Sequence, residues 1–335
     1  MTRYTAERAS VGPQPIVVLA SDAGRRARIA CHGAALLSLE TPRNGVPFDI
    51  AWGYRDADEI LARSGSHFAI LAPFGGRVGD ARYSFDGQSF DLEPGVAGAT
   101  RGFRHGFVRD ADFAIAYLAS GDTEATATLA TDAIRPRPGY PFSVDLAIRF
   151  TLDAAGLALE ARMRNVGDRA APCFFGWHAY FRAGDCMADD WMLEIPARTT
   201  IRTDARLIPL PGEAAYVPLE QAAELDFRHA RRIGATVLDN GYTGLAADHD
   251  GRMRTRLTDP SSGFSISVWQ ERGVMHAFTG DTLGAGARSA IALEPMECMA
   301  DAFNRPDCAS AIRLAPGVER VFRCGVECPA PGKPD

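Results

Sequence analysis

Lysine is almost absent from this chain of 335 residues, whose other basic side chains are all arginine. Of the 36 lysines and arginines, Lys333 is the only lysine, which leaves 35 arginines. A lone lysine at this position offers no candidate for a Schiff base or for the lysine of a phosphate-binding loop, so both classes of site are excluded. The coding bias of a GC-rich genome accounts for the abundance of arginine.

Cysteines are few and widely spaced, and long apolar runs are missing. The seven cysteines are an odd number without a Cys-x-x-Cys pair, so the sequence predicts neither a disulfide framework nor a zinc site. No apolar stretch reaches the roughly 20 residues of a membrane span, and no signal-type segment follows Met1. The net charge of -6 argues against nucleic-acid binding. We therefore expect a cytoplasmic protein without a nucleic-acid or membrane partner.

Strand-like alternation dominates the sequence, whereas helical patterns are scarce. Alternating apolar residues over 142–150 and 157–163, with a turn at 153–156, predict an antiparallel hairpin with one polar face. Further predicted elements are a hairpin over 83–92 reversing at Asp86-Gly87, strands at 264–268 and 320–328, and one short helix at 58–63. We predict an all-β fold, a large antiparallel β-sandwich with few short helices, as a single domain over residues 1–328 followed by a Pro-rich tail at 329–335.

Gly176, His178 and Tyr180 are the first candidates for a functional site. In the run 174–181 they alternate with apolar neighbours, and successive side chains of a strand point to opposite faces. A small residue, an imidazole and a phenol on one face suit a ligand that approaches the sheet. A core histidine bonded to a backbone carbonyl would give the same pattern, so the residue types alone leave both interpretations open.

Glu294 follows the apolar run 289–293. A carboxylate there is costly unless it is paired or lies near a cleft, and partial desolvation would raise its pKa toward the range useful to a general base. Because Pro295 lacks the N–H that a strand ladder needs, we expect pairing to end there, with Glu294 at the rim of a sheet. A structural glutamate bonded to backbone amides is the alternative.

Two arginine-containing segments add further candidates. The segment from Arg104 to Phe107 places Arg104 and His105 before a glycine that allows backbone or ligand to come close. In the run 73–78, Arg77 follows two glycines and offers a planar fork of donors suited to sugar hydroxyls or a carboxylate. Taken alone, each such segment is more often structural than functional.

Taken together and in this order, these segments resemble the aldose 1-epimerase (galactose mutarotase-like) family. The matching stretches are 77–87, 104–107, 176–181, 237–239 and 293–296 with the trailing 301–304. The similarity extends over roughly residues 12–328, and five motifs in sequence order are more specific than any one of them. The resemblance implies a large antiparallel β-sandwich, which agrees with the strand pattern read independently.

The resemblance also implies a function and a set of site residues. Glu294 corresponds to the general base and His178 to the general acid of an isomerase that interconverts the α and β anomers of an aldose. His105, Arg77 and Asp239 correspond to residues that hold sugar hydroxyls. The partner is then a monosaccharide substrate, and the proton transfers need no metal and no other cofactor. We expect His178 and Glu294 to face one cavity, about the width of a sugar ring apart.

Five positions depart from the family pattern. Ala179 stands where the family often has proline, and Gly76 stands where many members have asparagine. Trp177 and Arg182 occupy positions at which galactose-specific members often have asparagine, and Phe107 replaces a second glycine. We predict that these changes leave the acid–base pair intact, alter the wall of the pocket and argue against galactose as the substrate.

Three other functions stay open at this point. A hexose-6-phosphate 1-epimerase would use Arg101, Arg104 or Arg182 to contact the phosphate, although arginine discriminates weakly in a chain where it is the default basic residue. A non-catalytic sugar-binding or regulatory protein would not need an acid facing a base. A carbohydrate lyase or hydrolase on a similar sandwich would need additional catalytic groups. For any of these we expect a monomer or homodimer.

Overall fold

Short β-strands follow one another along the described chain, which is residues 2–96 and 102–328 of a computed structural model. In chain order the first strands are β1 (Tyr4–Val11), β2 (Gln14–Ser21), β3 (Arg26–Ala30), β4 (Leu36–Arg43), β5 (Val46–Asp49), β6 (Ala69–Leu71), β7 (Arg77–Gly79), β8 (Arg82–Phe85), β9 (Gln88–Asp91), β10 (Gly102–Arg104), β11 (Ala114–Ala119), β12 (Glu124–Ile134), β13 (Val144–Asp153) and β14 (Gly156–Asn165). They continue with β15 (Ala171–Pro172), β16 (Gly176–His178), β17 (Tyr180–Phe181), β18 (Met192–Glu194), β19 (Thr199–Ile201), β20 (Tyr216–Pro218), β21 (Arg231–Arg232), β22 (Asp239–Thr243), β23 (Met253–Thr258), β24 (Ser265–Gln270), β25 (Val274–Phe278), β26 (Ile291–Met296), β27 (Arg313–Leu314) and β28 (Glu319–Glu327). The α-helices are α1 (Ala57–Ala62) and α2 (Ala309–Ile312). Short 3-10 helices occur at other points along the described chain.

Three large antiparallel sheets are built from these strands. Strands β1 to β5 form a five-stranded sheet in sequence order. The nine-stranded sheet has the order β11-β12-β13-β14-β28-β24-β23-β18-β21. The eight-stranded sheet has the order β20-β19-β22-β25-β26-β16-β6, with β17 also beside β26. Two-stranded ribbons are formed by β7 with β10, β8 with β9, and β15 with β27.

One continuous cluster of apolar side chains joins the three sheets. It contains Val17 of the five-stranded sheet, Phe150 of the nine-stranded sheet and Trp177 of the eight-stranded sheet, all fully buried. The rings of Phe175 and Phe322, on segments that belong to different sheets, lie 5.7 Å apart. Burial of this apolar surface is the main force that holds the layers together. The predicted all-β sandwich with few short helices is confirmed.

The hairpins predicted from alternation are present, and they reverse at the predicted turns. Strands β13 and β14 pair from Val144–Asn165 to Leu152–Leu157, and alternate side chains of β13 are buried. Strands β8 and β9 reverse at Asp86 and Gly87, whose φ values of 51° and 75° both lie in the left-handed region that a tight hairpin turn requires. The predicted strands at 264–268 and 320–328 and the predicted helix at 58–63 correspond to β24, β28 and α1.

The position of Glu294 within its sheet differs from the prediction. Strand β26 continues through Pro295 to Met296 and lies in the middle of the eight-stranded sheet, so the expected sheet rim is wrong. The N–H groups of Leu293 and Glu297 donate to Ala179 and Phe175 on the neighbouring segment. Pro295 lies midway between them, opposite Trp177 by the same register, and the carbonyl of Trp177 accepts from the N–H of Ala179 instead. The missing donor therefore costs the ladder little.

Several predictions concern parts of the chain that this fold does not test. The Pro-rich tail at 329–335 and Arg101 lie outside the described residues, and the single domain over 1–328 stays a prediction.

Among the described residues, no helix is long and apolar enough to cross a membrane. All seven cysteines are free thiols, and only Cys186 is not buried.

Candidate active site

A cavity of about 520 Å³ opens on the eight-stranded sheet, beside the ribbon of β7 and β10. This volume falls within the range of about 300 to 1,000 Å³ that is typical of small-molecule sites. All five site residues predicted from the sequence line it: His178, Glu294, Arg77, His105 and Asp239. The fold thus brings together side chains as distant in the chain as Arg77 and Glu294.

Glu294 sits between two histidines that belong to its neighbouring strands. On β25, His276 is its direct cross-strand partner. On the other side, Nε2 of His178 on β16 lies 3.4 Å from Oε1 of Glu294. Side chains directly opposite one another on adjacent antiparallel strands point to the same face, so all three project into the cavity. Regular sheet geometry, rather than a flexible loop, therefore fixes this row.

Burial controls the protonation of Glu294. The residue is 4% exposed. Removal from water disfavours the charged carboxylate and raises its pKa to about 7; nearby Asp239 adds to the increase, while His276 opposes it. Near neutral pH the side chain therefore exchanges readily between its acid and its base form. That is the condition in which one group can both remove and return a proton.

His178 is held in the opposite state. Burial lowers its pKa well below the usual value, and the positive charge that His105 and His276 can carry lowers it further. Its ring stacks on Tyr180 at a centroid distance of 5.1 Å and meets the edge of His105 at 5.2 Å. Burial also lowers the pKa of His105 to about 3. At neutral pH, His178 and His105 are therefore uncharged in the free protein.

The pair of His178 and Glu294 shares a single proton over a broad pH range. Because the pKa of Glu294 is about 7 and that of His178 is far lower, the proton resides mainly on the carboxyl group below pH 7. Movement of that proton across the 3.4 Å contact converts the pair into a carboxylate and an imidazolium. The pair therefore exists in two forms of equal total charge: protonated Glu294 with neutral His178, and the Glu294 carboxylate with the His178 imidazolium.

His276 is a functional candidate that the sequence patterns did not reveal. Its Nε2 lies 2.9 Å from Oδ1 of Asp239. Burial acts to lower the pKa of His276, but the hydrogen bond with Asp239 and the nearby Glu294 raise it above the usual value. These contacts therefore favour the protonated imidazole beside Glu294. The only local signal is a polar residue in the middle of an apolar strand, and its meaning depends on a cross-strand register that the sequence does not contain.

The separation of His178 and Glu294 is smaller than the expected width of a sugar ring. At 3.4 Å the two side chains are close to hydrogen-bonding distance. This spacing is compatible with acetal chemistry because the C1 hydroxyl oxygen and the ring oxygen of an aldose are both bonded to C1. A sugar lying on the open side of the pair can present one oxygen to each residue without a ring passing between them.

Four of the five departures from the family pattern do not lie on the cavity wall. Gly76 lines the cavity, whereas Trp177, Ala179, Arg182 and Phe107 are not among its described lining residues. Trp177 is fully buried in the core, on the face of the strand opposite His178. The Nε of Arg182 donates to the carbonyl of Asp49 at 2.7 Å, away from the site. The prediction that these four residues alter the pocket wall is therefore wrong, as is the use of Arg182 as a phosphate contact.

Gly176 also plays a different part from the one expected. A Cβ at this position would lie 2.8 Å from Cγ of Met296 and 3.2 Å from Cδ1 of Leu71. The glycine therefore makes room for close packing within the sheet rather than for a ligand.

Among the described residues, no group of three or more His, Cys, Asp or Glu side chains is arranged to hold a metal ion.

Comparisons with known proteins agree with this geometry. The family model for aldose 1-epimerase matches residues 15–326. The chain belongs to the aldose 1-epimerase family. This confirms the resemblance inferred from the ordered motifs, and it covers the cavity and all the residues that line it.

Individual relatives are distant but match over most of their length. The Escherichia coli (strain K12) protein YihR is 28% identical over 238 residues, which are 70% of this chain and 71% of YihR. The GalM/aldose epimerase homologue from C. elegans superposes with a TM-score of 0.79 at 19% identity, over 92% of this chain and 96% of that one. Galactose 1-epimerase from Lactobacillus acidophilus NCFM gives a TM-score of 0.75 at 17% identity, over 98% and 99% of the two chains. The two solved structures share the galactose mutarotase-like fold with this family member.

Proposed function

We propose that this protein is an aldose 1-epimerase, an isomerase that interconverts the α and β anomers of an aldose. The observation that carries the proposal is the contact of His178 with Glu294 on the floor of a cavity of sugar size. Family membership supports the reaction class, and the solved galactose 1-epimerase from Lactobacillus acidophilus NCFM shares the fold.

The proposed reaction begins with the sugar ring closed and C1 next to the pair. Glu294 in its carboxylate form removes the proton from the C1 hydroxyl, while the imidazolium of His178 donates a proton to the ring oxygen. The C1–O bond to the ring oxygen breaks, and C1 becomes an aldehyde. After rotation about the C1–C2 bond, Glu294 returns its proton to the aldehyde oxygen as the ring oxygen attacks C1 and gives its proton back to His178. The cycle is balanced and leaves both groups as they began.

The neighbouring side chains are proposed to hold the sugar and to adjust the pair. Arg77, His105 and Asp239 are the proposed contacts for the substrate, and each lines the cavity. Protonated His276, fixed by Asp239, lies beside Glu294 and stabilises its carboxylate at the moment when the proton has moved to His178. His276 is therefore a positioning and electrostatic partner of the base in this mechanism.

A purely sugar-binding role accounts for the site less well. The buried carboxyl group of Glu294 has a pKa of about 7, and a group whose pKa is raised by burial lowers the stability of the fold when it ionises. Binding of sugar hydroxyls could be achieved by exposed or permanently charged groups at no such cost. A proton-transfer role gives a reason for keeping this particular carboxylate out of water.

The decisive experiment is Glu294→Gln assayed by anomer exchange. Two-dimensional exchange NMR at equilibrium measures the rate at which α and β signals interconvert, across a panel of free aldoses and charged aldose derivatives. The glutamine keeps the shape of the side chain but cannot accept a proton, so we expect catalysed exchange to fall by about 10²- to 10⁴-fold.

The matched control is Glu327→Gln, the same chemical change on the nine-stranded sheet and outside the cavity. This control should exchange anomers at the wild-type rate. Exchange at the uncatalysed rate for every sugar with the wild-type protein would refute the proposed function. Full activity of Glu294→Gln on a sugar that the wild type does turn over would refute the assignment of the base.

A further inference from the structure

Two arginines face each other across the ribbon that borders the cavity. In the antiparallel pairing of β7 with β10, Arg77 is directly opposite Arg104. Residues in this relation point to the same face with Cβ atoms about 4.5 to 5.5 Å apart, and like charges placed there are destabilising. Both side chains line the cavity, and neither forms a hydrogen bond or ion pair with another described residue. Two adjacent guanidinium groups are thus presented to the cavity without an ion-paired carboxylate among the described residues.

Two further arginines extend this positive edge. Arg63 is 4% exposed, and its Nη1 donates to the carbonyl of His32 at 3.3 Å, but its buried Nε and Nη2 have no hydrogen-bond partner among the described residues. Arg109 donates to Ser66 Oγ and to the exposed carboxylate of Asp110, both at 3.2 Å. Both line the same cavity. Because the unpartnered donors of Arg63 are themselves buried, Arg63 adds positive charge behind the cavity wall rather than a direct contact for a ligand.

The carboxylates of the cavity wall do not neutralise these four arginines. Among the described residues that line the cavity, the carboxyl groups are those of Asp239 and Glu294. Asp239 is hydrogen-bonded to His276, whose pKa is raised, and the charge of Arg77 also helps to lower the pKa of this carboxyl group. One carboxylate is thus shared by two cationic partners, while Glu294, with a pKa of about 7, is only partly ionised near neutral pH. Burial and the charges of Arg77 and Arg109 lower the pKa of Arg104, as expected where guanidinium groups crowd together. The edge of the cavity keeps a net positive charge.

Arginine abundance alone does not account for this arrangement. Many of the other arginines have carboxylate partners: Arg254, for example, forms ion pairs with Asp248, Asp250 and Glu327. A neutral sugar hydroxyl can accept a hydrogen bond from a guanidinium, but it does not offset two like charges. An oxyanion does both, and the planar fork of arginine matches the oxygens of a carboxylate, sulfate or phosphate group.

We propose that the substrate is an aldose that carries an oxyanion away from C1, held by Arg77 and Arg104 with Arg63 and Arg109 behind them. The inference rests on the proposed function, because it assumes that C1 of the same sugar lies at His178 and Glu294. It commits to a charged sugar class rather than to a particular acid group. The positive edge also raises the local concentration of such a substrate, which predicts a rate of association that falls with added salt.

The experiment compares one aldohexose with its derivatives that differ only at C6. The probes are the neutral hexose, the uronic acid with a planar group of charge -1, the 6-sulfate with a tetrahedral group of charge -1, and the 6-phosphate with a tetrahedral group of charge near -2. Exchange NMR gives kcat/KM for each. We expect at least one anionic sugar to exceed the neutral hexose by about 10- to 100-fold, the range of a charged hydrogen bond. The best of the three then identifies the acid group.

Arg104→Gln tests the assigned contact, with Arg77→Gln as a second variant and Arg232→Gln as the matched control. Arg232 is an exposed arginine that pairs with Asp190 and does not line the cavity. In Arg104→Gln the preference for the anionic sugar over the neutral one should fall by about 10-fold or more through a higher KM. In Arg232→Gln the preference should be unchanged. Equal kcat/KM for all four sugars, or an equal loss on charged and neutral sugars in both cavity variants, would overturn the inference while leaving the epimerase proposal intact.

A binding measurement separates this inference from the proposed function. Ligand-observed NMR titration of the same four sugars into the Glu294→Gln variant reports affinity without turnover. Arg104-dependent binding of an anionic sugar, combined with no catalysed exchange in the wild type, would refute the epimerase proposal and retain the charged-sugar site. Binding of the neutral hexose as tightly as every anionic one would overturn the charged-sugar site.

Discussion

Arg254 of the nine-stranded sheet and the pair of Arg77 and Arg104 at the cavity are used in opposite ways. On the nine-stranded sheet, Arg254 makes five hydrogen bonds to the carboxylates of Asp248, Asp250 and Glu327. At the cavity, Arg77 and Arg104 face each other, and neither forms an ion pair with a carboxylate in the described part of the chain. A compositional bias toward arginine explains how many there are, but not which of them are left unneutralised. A functional arginine is therefore recognised by the absence of a carboxylate partner rather than by its residue type.

Carboxylates show the same contrast. Burial acts to raise the pKa of Glu327 on the nine-stranded sheet, but hydrogen bonds from Arg254 and Arg252 bring it below its usual value. Glu294 in the cavity has no such donors, and burial raises its pKa to about 7. One glutamate therefore stabilises the fold in its charged form, whereas the other makes the charged form costly. Sites that work by proton transfer commonly accept this cost.

The rate of anomer exchange should fall steeply above neutral pH. The working form of the pair His178–Glu294 contains one proton, and that proton is lost as pH rises through about 7, the pKa of Glu294. We expect enzyme-catalysed kcat/KM to drop by about tenfold per pH unit above that point, and to be nearly flat for at least one unit below it. Exchange NMR from pH 5.5 to 9, with the buffer-catalysed rate subtracted, measures this.

The pH–rate profile of the Glu327→Gln variant provides the comparison, because the pKa of Glu327 is lowered and lies below this pH range. It should superimpose on that of the wild type. A rate that rises between pH 6 and 8 would contradict the shared-proton form and would show that the Glu294 carboxylate works together with a neutral His178.

Glu294→Gln should change how stability depends on pH. The folded pKa of about 7 lies above the usual glutamate value of 4.5, so the contribution of Glu294 to stability is fully present below about pH 4.5 and is lost as pH rises through about 7. Glutamine does not ionise and escapes this loss. Relative to wild type, the variant should gain on the order of 2 to 3 kcal/mol between pH 4.5 and pH 8, measured by urea unfolding.

Glu327→Gln should show the opposite sign. Its pKa is lowered in the fold, so its contribution is present above the unfolded pKa and is lost as pH falls through the folded one. The variant should therefore be less stable than wild type at pH 8, and the difference should shrink toward low pH. If both variants respond to pH in the same direction, the contrast between the two regions is wrong.

The parts of this molecule that the sequence predicts are those governed by local patterns. The hairpin of β13 and β14 follows from alternation on both sides of a short turn, and the β8–β9 turn follows from Asp86-Gly87. Both depend on residues that are close in the chain. The family resemblance likewise depends on short motifs in order, and it names five residues that all line the cavity.

What the sequence does not predict is the order of strands in the sheets. Glu294 is central because β26 pairs with β25 and β16, which are separated from one another by roughly 100 residues along the chain. The pairing of β26 with β25 makes His276 a neighbour of Glu294, and the separate pairing of β7 with β10 places Arg77 opposite Arg104. Trp177 and Arg182 are near His178 in sequence, yet one points into the core and the other toward Asp49. Proximity along a strand does not decide which side chains share a cavity.

The smallest expected effect concerns two arginine substitutions, which should change the free energy of unfolding in opposite directions. Arg254→Gln removes the common partner of three carboxylates that are only partly exposed, so we expect a loss of about 1 to 2 kcal/mol in the free energy of unfolding. Arg104→Gln removes one of two like charges that face each other, so we expect no loss and a gain of up to about 0.5 kcal/mol. Urea unfolding at pH 7 and low salt measures both.

Salt distinguishes the two cases further. Charges are screened over a Debye length of about 8 Å at physiological ionic strength. Added salt should therefore reduce both the loss of stability in Arg254→Gln and the gain in Arg104→Gln, each relative to wild type. A clear loss of stability in Arg104→Gln would mean that this guanidinium has a structural partner after all, and that the cavity arginines are paired like those of the nine-stranded sheet. A gain in Arg104→Gln, together with weaker binding of a charged sugar by the same variant, would show that the repulsion between Arg77 and Arg104 is maintained for the sake of the ligand.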